Sequence, residues 1–142
     1  MRDTKKPRNA EPALTVQIHP TIGEHWLLTT GVANLPAPNW SEGADRLRLM
    51  GKLLDGATFE ETLADPPPQA LFRELITAPI FLDSPEARLA IRLIDQIVGL
   101  GRVTVYQLGF FVSLKERLEQ AIDDARKAAI TEAVVPGEPG PN

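Results

Sequence analysis

Polar and apolar residues alternate over ALTVQIH: Leu14, Val16 and Ile18 fall on one side, and Thr15, Gln17 and His19 on the other. That period of two predicts a half-buried strand. The turn residues of PTIGE follow, and HWLLTTGVANL then reads as a second strand with Trp26, Leu28 and Val32 on one face. Together the two segments form a predicted hairpin. PAPNWSE ends the sheet and opens a helix, for which Asn39 and Ser41 are both acceptable N-caps.

From there the period lengthens. Leu47, Met50, Leu53 and Leu54 recur at helical spacing over about 41–55, and Arg46, Arg48, Lys52 and Asp55 fall mostly off that stripe. Gly56 marks the stop. Thr58 and Glu61 have the spacing of a capping box for the short helix FEETLAD. Pro66, Pro67 and Pro68 then withdraw three successive backbone donors, and QALFRELITA resumes a helical period through Leu71, Phe72, Leu75 and Ile76. DSPEARLAIRLIDQIVGLG has the clearest helix start: Ser84 as cap, Pro85 in the first turn and Glu86 at the positive end of the dipole. Its polar residues Arg88, Arg92, Asp95 and Gln96 form one narrow stripe, so the helix reads as the most buried element. Gly99 and Gly101 end it. RVTVYQL is β-branched enough to predict a third strand, with the Tyr106 ring against the core. A second capping box, Ser113 and Glu116, opens a last helix with Leu114, Leu118, Ala121, Ile122, Ala125 and Ala129 on its apolar face.

The expected fold class is therefore α+β, in the order ββαααα-β-α: a sheet of about three strands packed against four to five helices. Residues 13–132 form one predicted globular domain. Residues 1–12, polar and basic, and residues 133–142, alternating Pro and Gly, are expected to be disordered flanks. No internal repeat is visible.

Composition narrows the chemistry. The 142 residues include no cysteine, which excludes disulfides, thiolate nucleophiles and Cys-based metal sites. The longest apolar run, YQLGFFVSL, is interrupted by Gly109 and is too short to span a bilayer, and MRDTKKPRN lacks the apolar stretch of a secretory signal. A cytoplasmic protein is expected. Residues 1–8 carry four basic side chains and one acidic; the remaining 134 carry eleven basic and eighteen acidic. An acidic body with a small basic arm is poorly suited to displacing counterions from nucleic acid.

Two short helices across GATFEETLADPPPQALFREL have the outline of a helix-turn-helix. From Thr58 to Ala78, however, Arg73 is the sole basic residue against Glu60, Glu61, Asp65 and Glu74, and three prolines replace the tight turn. A base-reading helix needs donors that this segment lacks, so the pair reads as packed core helices. His19 and His25, with Glu24 beside the second, supply metal-ligand types without a metal-binding spacing, and no metal or cofactor is expected. Ser41, Ser84 and Ser113 all fall at predicted helix starts, where capping explains the hydroxyl. Glu61 with Asp65, and Asp123 with Asp124, read as solvated helix faces. Asp95, sharing a stripe with Arg88 and Arg92 at helical spacing, predicts a partly buried ion-pair network rather than a catalytic carboxylate. The Gly-x-Gly of GLGRVTV follows a helix and precedes a predicted strand, the reverse of a dinucleotide loop.

No catalytic set is assembled, and the chain reads as a non-enzymatic protein-interaction module: an adaptor, an inhibitor or a small subunit. Three strands leave two sheet edges to be covered, which favours pairing with another protein or a homodimer. The expected contact residues are Leu27 and Thr29 on the hairpin and Ile80, Phe81 and Leu82 in APIFL. The alternative is a nucleic-acid-associated regulator, using Lys5, Lys6 and Arg8 of the arm with Arg46, Arg48 and Lys52 of the first helix.

Overall fold

A computed structural model of the chain describes residues 14–54 and 66–134, with side chains to residue 131. The chain is mixed α+β and mostly helical: β1 (Thr15–Ile18), α1 (Ile22–Ala33), α2 (Trp40–Leu54), a short 3-10 turn at Gln69–Leu71, β2 (Ile80–Asp83), α3 (Ser84–Gly99) and α4 (Val105–Val134). The flank expected over 1–12, residues 135–142 of the flank expected over 133–142, and the helix capped by Thr58 and Glu61 lie outside the described residues, while residues 133 and 134 continue α4.

The first strand is where its alternation puts it, but its partner is not the next segment. β1 pairs antiparallel with β2, more than 60 positions downstream, in the register Thr15–Asp83, Val16–Leu82, Gln17–Phe81 and Ile18–Ile80. Val16, Ile18, Ile80 and Leu82 form the core face of this two-stranded sheet, while Phe81 is 54% exposed. The predicted hairpin does not form because HWLLTTGVANL belongs to α1. Thr21 caps that helix: its hydroxyl accepts from the Glu24 N–H at 3.1 Å, and Glu24 Oε1 accepts from the Thr21 N–H at 2.8 Å. Burial on more than one side hides the helical period, since Leu27, Leu28, Thr29 and Val32 are all buried. Thr29 tolerates this because its hydroxyl donates back to the His25 carbonyl at 2.9 Å.

QALFRELITA is likewise not a helix. Beyond the 3-10 turn it becomes a strap laid across the start of α1, whose first N–H groups have no intrahelical acceptors. Ile22 N–H donates to the Glu74 carbonyl at 2.7 Å, Gly23 N–H to the Phe72 carbonyl at 3.0 Å, and Ile76 N–H returns to the Pro20 carbonyl at 3.0 Å. The approach requires glycine at 23: a Cβ there would sit 2.6 Å from the Phe72 ring.

α2 falls over its predicted span, and Asn39 is the residue that caps it, accepting from the Glu42 N–H at 2.8 Å. Its core stripe is Leu49, Met50, Leu53 and Leu54; Leu47, expected inside, is 63% exposed. In α3 the cap moves one residue upstream of expectation. Asp83 and Glu86 form the reciprocal capping box, and Ser84 is buried with its hydroxyl accepting from the Leu14 N–H at 3.2 Å. α3 does serve as the central element: it packs on α1, α2, α4 and both strands, with Ala87, Leu89, Ala90, Leu93, Ile94 and Ile97 buried.

The third predicted strand is absent among the described residues. After Gly101, whose φ of 74° makes the left-handed turn, Thr104 and Gln107 cap a helix that begins at Val105. Ser113 is therefore two turns inside α4 and opens nothing. Leu114, Leu118 and Ile122 line its core face as expected, joined by Phe110 and Phe111.

Candidate functional site

The residues expected to meet a partner are placed mainly inside the chain. Leu27 and Thr29 are 6% and 0% exposed within α1, and Ile80 and Leu82 face the core from β2; Phe81 alone of the five is on the surface. Of the basic residues in the alternative set, Lys5, Lys6 and Arg8 lie outside the described residues, and each of the three on α2 meets a carboxylate. Arg46 is buried and donates from Nε to Glu42 at 3.1 Å and from Nη1 to the Leu35 and Pro36 carbonyls at 3.3 and 3.0 Å. Arg48 pairs with Asp45, and Lys52 Nζ donates to Glu86 Oε1 at 2.6 Å.

The two histidines do not converge. His19 and His25 each set Nε2 2.6 Å from a backbone carbonyl, of Ile76 and of Leu53 respectively. A carbonyl can only accept, so both rings carry the proton on Nε2. No group of three or more potential ligands is gathered among the described residues. The ion-pair network expected around Asp95 is rearranged: Asp95 accepts from Lys115 at 2.9 Å, and Arg92 lies 3.5 Å from Glu42. That contact, first the hydrogen bond and then the charge of Asp95, holds the Lys115 ammonium above its usual range.

One polar site was not foreseen. Glu24 is 2% exposed, and beyond its capping bond it accepts from Arg117 Nη1 at 2.9 Å; the same guanidinium donates to the His19 carbonyl at 3.2 Å. A small cavity of about 290 Å³ beside this pair is lined by Arg73, Tyr106, Ser113 and Arg117. Its wall is aromatic. The Phe110 ring lies 5.2 Å from Tyr106 and 5.6 Å from Phe72, and the Arg73 guanidinium sits over it at 5.8 Å. The carboxylate is engaged by Thr21 and Arg117, which makes the pair a clamp between α1 and α4. Glu24 could be noticed in the sequence as a capping residue; Arg117, 93 positions away, could not be matched to it.

The larger feature is apolar and lies outside the core. A groove of about 1010 Å³ runs between the end of α1 and the face of α2, with Val32, Leu35, Ala37 and Met50 in its floor and Trp40 and Leu47 on its rim. Trp40 is 96% exposed. A second exposed apolar strip occupies the first turns of α4, where Val105, Leu108 and Val112 are 87%, 37% and 47% exposed near Leu100 at 51%. Large side chains left in water in contiguous sets mark contact surfaces more often than catalytic ones. A signal for the α2 face was present in the sequence, because Leu47 lies about 160° around the helix from Leu49 and the two cannot share one core stripe.

No helix among the described residues is long and apolar enough to cross a membrane. Comparison with known protein families, curated proteins and solved structures gave no match.

Proposed function

We propose that the protein is a non-enzymatic protein-interaction module, an adaptor, inhibitor or small subunit that also associates with itself. The observation that carries this reading is the exposed groove at α1 and α2, with Trp40 standing 96% in water at its rim. Tryptophan is the residue most enriched at the energetic centres of interfaces, where it removes a large apolar area from water. The strip at Val105, Leu108 and Val112 offers a separate contact face. The nucleic-acid alternative has less support, since Arg46, Arg48 and Lys52 already meet Glu42, Asp45 and Glu86. The contact residues of the proposal move accordingly from Leu27, Thr29, Ile80 and Leu82 to the α2 face and the start of α4, with Phe81 kept as an accessory position.

The test is capture of the tagged chain from nuclease-treated lysate of its source, followed by a high-salt wash. A stoichiometric protein that stays bound to the native chain, and is lost from Leu47→Glu or from Val105→Glu with Val112→Glu, supports the module. Nucleic acid bound from untreated lysate and released by salt, with no protein retained after nuclease treatment, would overturn it, because binding through phosphate contacts falls steeply with ionic strength while apolar contacts do not.

A further inference from the structure

We infer that a second copy of this chain docks antiparallel along the solvent face of α2, about a twofold axis at the level of residues 45 and 46. The inference rests on the proposed interaction role and names one of its partners.

At 100° per residue, Trp40, Ala44, Leu47 and Gly51 fall within an arc of about 60°. Their spacing of four, three and four is that of a helix–helix seam, and it faces away from the Leu49 and Leu53 core stripe. Size alternates along it: large, small, large, small. An antiparallel twofold pairing sets Trp40 against the partner's Gly51 and Leu47 against the partner's Ala44, so every large side chain meets a small one. Parallel pairing would stack indole on indole and leave glycine facing glycine. Room exists at the small positions, since a Cβ built on Gly51 has nothing within 4 Å. On one side of the seam the groove toward α1 accepts the remainder of the incoming large side chains.

Charge complementarity fixes the same orientation. The other flank carries Asp45 and Arg48, with side chains 45% and 64% exposed and joined to each other within the chain. Antiparallel helices place equal flanks side by side, so Arg48 of each copy comes beside Asp45 of the other and the two pairs become a four-membered crossed set. A parallel pair would set this flank beside the opposite flank of the partner, leaving the two copies' Asp45 and Arg48 on opposite sides of the seam with no crossed pair. The 15 residues of α2 span about 22 Å, which with the groove gives a contact at the low end of specific interfaces. The expected dissociation constant is on the order of 10 μM.

The test uses the full chain and sedimentation equilibrium from about 1 μM to about 1 mM, a range set by that affinity. A concentration-dependent dimer is expected, weakened about thirtyfold by Trp40→Ala and by Gly51→Lys, with far-UV circular dichroism unchanged. Gly51→Lys guards against misfolding, because it enters open space in the monomer. Asp45→Arg and Arg48→Asp should each be monomeric alone and should form a heterodimer when mixed one to one, since mixing restores both crossed pairs. A monomer throughout the range overturns the inference while leaving a different protein partner possible in the capture experiment. A dimer indifferent to all four substitutions also overturns this interface, and leaves self-association through another face.

Discussion

Glu24 and Arg117 show how a single carboxylate can serve two purposes at once. One oxygen satisfies an otherwise orphaned N–H at the start of α1 and also receives the guanidinium that ties α4 to it. The two partners are not equivalent: the Glu24 side chain is 1% exposed and that of Arg117 is 40% exposed. Removing the arginine leaves a buried charge, whereas glutamine at 24 keeps an oxygen for Thr21. Arg117→Met is therefore expected to cost about 3 kcal/mol and Glu24→Gln about 1 kcal/mol, read by urea denaturation. Glycines divide in the same way by surroundings. At Gly23 the missing Cβ is replaced by the Phe72 ring, so Gly23→Ala should destabilise by about 2 kcal/mol. At Gly109 a Cβ meets nothing within 4 Å, and Gly109→Ala should stabilise by about 0.8 kcal/mol through helix propensity. Thermal melts of the two variants check both signs. Lys115 adds a pH effect. Its affinity for the proton is raised in the fold, so its stabilising contact with Asp95 is fully present at neutral pH and lost as pH rises past the usual 10.5. Asp95→Asn should return the Lys115 titration, followed by NMR, to the ordinary range and leave neutral-pH stability nearly unchanged, because the pair is solvated.

At the scale of elements, caps decide where helices begin more sharply than their apolar stripes do. Asp83 rather than Ser84 holds the free N–H of Glu86, and Thr104 rather than Ser113 opens α4. Asp83→Ala is expected to cost about 1 kcal/mol, and Asp83→Asn only a few tenths, in denaturant titrations. A result in which Asp83→Ala is silent would return the cap to Ser84. The strap at residues 72–76 illustrates the opposite case, an element defined by another element's needs. Leu71, Phe72, Leu75 and Ile76 have helical spacing, yet the Phe72 and Glu74 carbonyls are used by α1 and so cannot belong to a helix of their own. A helix-turn-helix across Gly56–Leu75 is excluded on the same ground, because its second member is this strap.

Among the described residues, three helices pack on a central α3, and a two-stranded sheet joins the segment at 15–18 to the middle of the chain at 80–83. Helices of 12, 15, 16 and 30 residues should dominate the far-UV circular dichroism, and a spectrum dominated by strand would refute this arrangement. Such a core leaves surplus apolar surface on α2 and on the start of α4, and that surplus rather than any assembled chemistry is what the proposed interaction role draws on.

The sequence alone determined α2, α3 and the inner half of α4, where a one-sided stripe repeats every three or four residues. It also determined the β1 alternation, because that strand is buried on one face. Tertiary structure decided the rest. α1 is buried on more than one side, which erases the polar face that would reveal its period, and its His, Trp and Thr residues are not strong helix formers. RVTVYQL has strand propensity, but among the described residues no strand lies beside it, and propensity of this size yields to a capped helix whose Phe110 and Phe111 reach the core. β2 acquires its identity from β1, far away in the chain, and Arg117 from Glu24. Local pattern carries no record of such pairings, since their free energy exists only once both partners are brought together in the fold.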